Sequence, residues 1–143
     1  MEISRQADYA VRAIMELSRH GEGERLQSSD IAARGGIPEK HITTIIRSLA
    51  RGGIIRTYRG SRGGVTLASP PGEITLRSVV EAIDGPLLLN RCRLQPGSCA
   101  GGNGERCAVH DYWERMTDDI LDELESVSFA QLAEADLVDG PGF

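Results

Sequence analysis

The stretch from Cys92 to His110 limits what this chain can fold into more than any other. It holds all three cysteines and one of the three histidines. Between Cys92 and Cys107 almost nothing is apolar beyond Leu94 and Ala100, and Gly97, Gly101, Gly102 and Gly104 loosen the backbone. A segment with so little to bury does not order itself by hydrophobic collapse. Three thiolates and an imidazole are ligands suited to zinc or to an iron–sulfur cluster. Six residues separate Cys92 from Cys99 and seven separate Cys99 from Cys107. So open a loop is unlike the tight Cys-x-x-Cys knuckle of zinc sites. The expectation is a metal centre that orders this loop, either zinc or an iron–sulfur cluster of two-iron or four-iron type, with three ordinary thiols as the plain reading.

The rest of the chain must then carry the state of that centre somewhere. At 143 residues it is one domain, or a small domain with a helical extension. It has no run of about eighteen apolar residues to span a membrane. Residues 1–8 lack a signal-peptide core, so a cytoplasmic protein with reduced thiols is expected. An odd number of cysteines argues against a closed disulfide framework. The net charge of −5 is an average of unlike halves. Residues 1–70 hold eleven Lys/Arg against seven Asp/Glu, a net of +4, and residues 71–143 hold five against fourteen, a net of −9. From Lys40 to Arg62 there are six basic residues and no acid, which is a local footprint for nucleic acid.

Periodicity predicts a helix over residues 4–20, with Ala7, Ala10, Val11, Ile14 and Leu17 on one face. Gly21 and Gly23 end it. A short helix over Asp30–Arg34, capped by Ser28 or Ser29, is expected next. After Gly35 and Gly36, Pro38 suits the first position of a third helix, about Pro38–Arg51. Ile42, Ile45, Ile46 and Leu49 form its inner stripe; Lys40, His41, Thr43, Thr44, Arg47 and Ser48 lie on or beside the other face. Helix, tight turn, helix is the arrangement that lays its second unit in the major groove. Residues 54–58 and 64–67 read as a hairpin, with Arg59, Ser61 and Arg62 at a glycine-rich tip suited to a minor groove.

Ser69 to Gly72 form a connector, and Thr75 opens a fourth helix carrying Leu76, Val79, Val80 and Ile83. The longest helix is expected over about Ala108–Val127. Val109, Trp113, Met116, Ile120, Leu124 and Val127 recur at three- and four-residue steps, a seam that calls for a second copy of the chain. Its other face is acidic. Ser128 would cap a last helix with Phe129, Leu132 and Ala133, and residues 138–143 read as a disordered tail. His41 reads as a surface or DNA-contacting histidine, and His20 as complementing its helix dipole. Trp113 reads as dimer core.

The opening Ile3-to-Ala13 stretch, the wing-like Arg59-to-Ala68 stretch and the three-cysteine loop, in that order, resemble the Rrf2 family of bacterial winged-helix transcription regulators. The resemblance covers roughly residues 1–137. It implies a homodimer on a partly palindromic double-stranded DNA operator, with Cys92, Cys99 and Cys107 holding an iron–sulfur cluster. In one branch of the family the fourth ligand is a histidine three residues after the last cysteine, and His110 stands there. In another it is an aspartate near the N-terminus, given across the dimer, and Asp8 stands there. The preference is for His110, since nitrogen beside thiolate is an attested cluster environment.

The expected molecule is mainly α with a small β-hairpin wing. A winged helix-turn-helix DNA-binding domain occupies 1–70; the fourth helix, cysteine loop and dimerisation helix occupy 71–137. It is a repressor sensing iron–sulfur status, redox state or nitric oxide, and not an enzyme. A cluster-bearing redox protein is the rival reading, but the chain has no nucleotide-binding glycine fingerprint and that reading leaves the wing unused. A third is a scaffold gripping a protein through its basic face.

Overall fold

The computed structural model describes residues 2–90 and 107–138. The elements run α1 (Arg5–His20), α2 (Ser28–Gly35), α3 (Glu39–Arg51), β1 (Ile55–Tyr58), β2 (Gly64–Leu67), a 3-10 turn at Pro71–Glu73, α4 (Leu76–Asp84), α5 (Ala108–Ser126) and α6 (Phe129–Val138). This is the mainly helical chain with one antiparallel hairpin that the residue pattern calls for. Cys92, Cys99 and the proposed tail from 139 onward lie outside the described residues.

Helix α1 is the spine. The Ser4 hydroxyl accepts the Ala7 amide at 3.1 Å and caps it. Ala7, Ala10, Ala13, Ile14 and Leu17 are buried on one face, and the three alanines let α2, α4 and α6 pack close. Glu16 is buried beside them, with its carboxylate 2.5 Å from Arg19 Nη1.

Two boundaries differ from expectation. Helix α2 starts at Ser28, two residues before the expected Asp30, and its N-cap is Gln27, with no side-chain cap bond. Neither Ser28 nor Ser29 caps it, because both are already inside the first turn. The cause is upstream: Leu26 pairs with Val65 of β2, so the chain is extended up to Gln27 and turns helical at the next residue. Pro38 is the N-cap of α3 rather than its first helical residue, with an extended ψ of 134°. Gly36 in the left-handed region (φ 62°) and the buried Ile37, whose amide donates to Ala32 O, fold the turn tightly just before it.

The main core gathers Ile14 and Leu17 of α1, Ile31 of α2, Ile45 and Leu49 of α3, and Val65 of the wing. Ile74, Val79 and Phe129 join them from the second half of the chain. A smaller core joins Ala7, Val80, Leu87 and Leu121. Residues 1–70 and 71–138 thus share both cores. Thr75 and Ser78 form a reciprocal capping box that starts α4. The α4 start is also tied to the end of α5 by Leu76 N–H to Val127 O (3.0 Å) and Phe129 N–H to Ile74 O (2.9 Å). At its other end Asp84 accepts the Ser4 amide at 3.1 Å and the Ser4 hydroxyl.

Helix α5 buries Thr117 and Leu121, neither of which belongs to the expected seam. Leu124 leans on the smaller core. Val109 is 60% and Trp113 38% exposed, whereas Met116, Ile120 and Val127 are half-buried.

Candidate nucleic-acid interface and metal centre

Helices α2 and α3 and the turn between them form the helix-turn-helix. The inner stripe of α3 — Ile42, Ile45, Ile46 and Leu49 — is buried, which turns Lys40, Thr43, Thr44 and Arg47 outward to solvent. His41 is half-buried instead, its ring centroid 5.6 Å from that of Tyr9 on α1. It is therefore shared between α1 and the outer face. His20 Nδ1 lies 2.8 Å from Glu16 O at the end of α1, and Arg34 of α2 reaches its other ring nitrogen.

In the wing, Ile55 pairs with Leu67 and Tyr58 with Gly64. The Gly63 amide donates to Gly60 O at 2.9 Å and closes the tip, where Arg59, Ser61 and Arg62 are exposed. Gly64 is required: its φ is 141°, and a Cβ there would stand 2.9 Å from Leu26 O. The basic residues Lys40, Arg47, Arg51, Arg56, Arg59 and Arg62 are all exposed. Exposed cations of this kind suit phosphates, and short polar side chains on an exposed helix face suit base edges.

Three residues missed by the sequence reading brace this wing. Arg25 stacks its guanidinium 3.7 Å from the centroid of the Tyr58 ring and donates to Arg62 O at 2.6 Å. Leu26 pairs with Val65, and Gln27 Nε2 donates to Gly63 O at 2.9 Å. No local signal marks them: Leu26 forms an isolated bridge rather than a strand, and one apolar residue between polar ones is too short a pattern to read.

Of the metal-ligating candidates, Cys107 is the N-cap residue of α5, exposed, with no side-chain cap bond. His110 follows in the first turn, half-buried, with Nε2 3.4 Å from Glu114 Oε1. Asp8 sits in the first turn of α1, paired with Arg12 at 2.9 Å. Its neighbour Ala7 shares the smaller core with Leu121, fourteen residues along α5 from Cys107. That is about 21 Å of helix. Within one protomer Asp8 and Cys107 are therefore far apart. Among the described residues no three His, Cys, Asp or Glu side chains gather as a metal site. Asn90, the last described residue before the loop, buries its Nδ2 without a hydrogen-bond partner among the described residues. No helix among those residues is long and apolar enough to cross a membrane.

Known proteins match this arrangement along its length. The family described as Rrf2, iron-dependent transcriptional regulator, matches residues 3–135. A Mycobacterium tuberculosis protein assigned as an HTH-type transcriptional regulator is 33% identical over 133 residues, 93% of this chain and 81% of its own. The HTH-type transcriptional regulator IscR of Photorhabdus laumondii is 30% identical over 132 residues, 92% of this chain and 79% of its own. Two solved structures share the fold at 22% identity. CymR, the global cysteine regulator of B. subtilis, has a TM-score of 0.75 and aligns over 94% of this chain and 98% of its own. IscR of T. potens has a TM-score of 0.74 and aligns over 99% and 94%. These relatives are regulators of transcription, not enzymes, and this chain belongs to the Rrf2 family of transcriptional regulators.

Proposed function

We propose that the chain is a homodimeric, operator-binding repressor whose hold on DNA is set by an iron–sulfur cluster on Cys92, Cys99, Cys107 and His110. The observation that carries this reading is the placement of Cys107. Its thiol is exposed at the very start of α5, where no side-chain bond occupies it, with His110 in the turn that follows. The residues suit the group: three sulfur ligands and a nitrogen, with the Asn90 amide donor near the loop's entry. Glu114 would hold His110 Nε2 and so present Nδ1 as the ligand atom. When bound, the cluster supplies chemistry that responds to iron–sulfur supply, redox state or nitric oxide.

His110 is the better fourth ligand because it shares a helix with Cys107. Asp8 would serve only as Asp8 of the partner subunit, and only after giving up Arg12. On DNA, Lys40, Thr43, Thr44 and Arg47 of α3 take the major groove, with His41 at the edge of that contact. Arg59, Ser61 and Arg62 take the adjoining minor groove and backbone. In a dimer the two copies of α3 must lie about 34 Å apart to read successive major grooves. Val109, Trp113, Met116, Ile120 and Val127 supply the contact between copies, with Leu124 divided between that seam and its own protomer's core. A change at the N-terminus of α5 alters that separation and shifts the population competent to bind.

The test is anaerobic purification with iron and acid-labile sulfide analysis, followed by titration onto duplex operator at several salt concentrations. Brown protein with iron and sulfide, and an affinity that changes when the cluster is removed, is the expected result. Colourless protein with zinc alone, or no metal, would leave a cluster-free DNA-binding dimer.

A further inference from the structure

We infer that Arg25 and Gln27 set the position of the wing relative to the recognition helix, without touching DNA themselves. The inference rests on the wing contacting DNA, as proposed above. Three successive residues make three different holds on the hairpin. Arg25 lies flat on Tyr58 at 3.7 Å and donates to Arg62 O at 2.6 Å. Leu26 exchanges both backbone hydrogen bonds with Val65, at 2.8 and 3.0 Å. Gln27 Nε2 donates to Gly63 O at 2.9 Å. Gln27 is also the N-cap of α2, the helix that opens the helix-turn-helix. Residues 25–27 are thus a rigid link with the wing on one side and the groove-reading unit on the other.

The physics favours such a role. A two-stranded hairpin of four-residue strands is marginal alone. Its tip swings unless something outside the hairpin holds it. A Cβ at Gly63 would stand 2.7 Å from Tyr58 O, within the hairpin's own tip; the closest approach to the link is at Gly64, where a Cβ would collide with Leu26 O and crowd Arg25 Cβ. The absence of a side chain there lets the link sit directly against the hairpin backbone. The Arg25 guanidinium is directed at the ring and at the Arg62 carbonyl. It fixes the backbone from which the Arg62 side chain projects, which is how one arginine sets the reach of another.

The test compares Arg25→Ala, Gln27→Ala and Arg59→Ala for operator affinity across salt concentrations, with amide exchange at Arg62 to Val65. Positioning predicts that Arg25→Ala weakens binding about tenfold. The salt slope should stay at the wild-type value, and the wing amides should exchange faster. Gln27→Ala should do the same to a smaller extent. Arg59→Ala should lower the slope by roughly 0.9, the signature of one lost phosphate contact. If Arg25→Ala itself lowers the slope by that amount, Arg25 is a direct contact and the inference is overturned. Unchanged affinity for both Arg25→Ala and Gln27→Ala, with Arg59→Ala impaired, also overturns it. If Arg59→Ala is silent as well, the wing reading itself has failed. Tyr58→Phe, which keeps the ring, should bind as wild type; Tyr58→Ala should behave like Arg25→Ala.

Discussion

Phe129 has no exposed surface, yet it reaches the core from the far end of the chain, where it belongs to the same cluster as Ile14, Leu17 and Val79. Truncating a fully buried phenylalanine removes apolar contact and leaves a cavity, at a cost of about 3–5 kcal/mol. Phe129→Ala should therefore lower the denaturant midpoint strongly. A shift worth under about 1 kcal/mol would mean that α6 is only loosely docked. This role was not legible. The sequence pattern placed Phe129 on a short terminal helix, and nothing local to it announces that Ile74 O receives its amide. Other single residues were legible because their partners are near in sequence: Thr75 and Ser78 form a local box, and Gly36 turns where the αL region demands a glycine. His110 and Asp8 make a second test at this scale. The 21 Å of α5 between Cys107 and the core shared with Ala7 favours His110. His110→Ala should lose most of the visible absorbance of anaerobic protein while Asp8→Ala keeps it; the reverse would assign the ligand to Asp8 of the partner subunit.

Helices α1, α3 and α4 were predictable to within a residue or so, because each carries a clean 3.6-residue stripe that its own protomer buries. Helix α5 shows where that logic fails. Its apolar residues are divided between a buried face and an exposed one, so its stripe is split. Thr117 and Leu121 are buried, Leu121 in the core with Ala7 and Val80, and Val109, Tyr112 and Trp113 remain exposed. Periodicity reports that a residue is apolar, not which chain covers it. The split predicts a separation of effects. Trp113→Glu should weaken self-association by more than about tenfold. Because Trp113 lies outside both described cores, the protomer's stability should change by only about 0.5 kcal/mol. Sedimentation equilibrium and thermal unfolding read the two quantities; a fully dimeric variant would remove Trp113 from the seam. The wing allows a parallel argument. Gly64→Ala forces a non-glycine residue to φ 141° against Leu26 O, a strain of about 1–3 kcal/mol. Operator affinity should fall even where unfolding stays cooperative.

On the scale of the whole molecule, α5, which would carry the proposed centre at its start, is joined to α3 by packing alone. The small core of Ala7, Val80, Leu87 and Leu121 joins α5 to both α1 and α4, and Ser4 fastens the start of α1 to Asp84 at the end of α4. Helix α1 in turn packs on α2 and α3. A displacement of α5 would therefore pass to α3 through packed contacts rather than a flexible linker, since interiors packed to crystal density transmit strain. The net charge differs between residues 1–70 and 71–143, yet described residues of both stretches share the same cores. The proposed cluster should then matter for signalling more than for folding, since Cys107, the cysteine among the described residues, is exposed and belongs to neither described core. Cys99→Ala should be colourless after anaerobic purification. It should keep a thermal midpoint within a few degrees of the cluster-free wild type, and bind operator with the affinity of that cluster-free form whether or not iron and sulfide are supplied. Loss of cooperative unfolding in Cys99→Ala would instead make the centre a structural staple, and the coupling through α1 would no longer be needed to explain its effect on DNA.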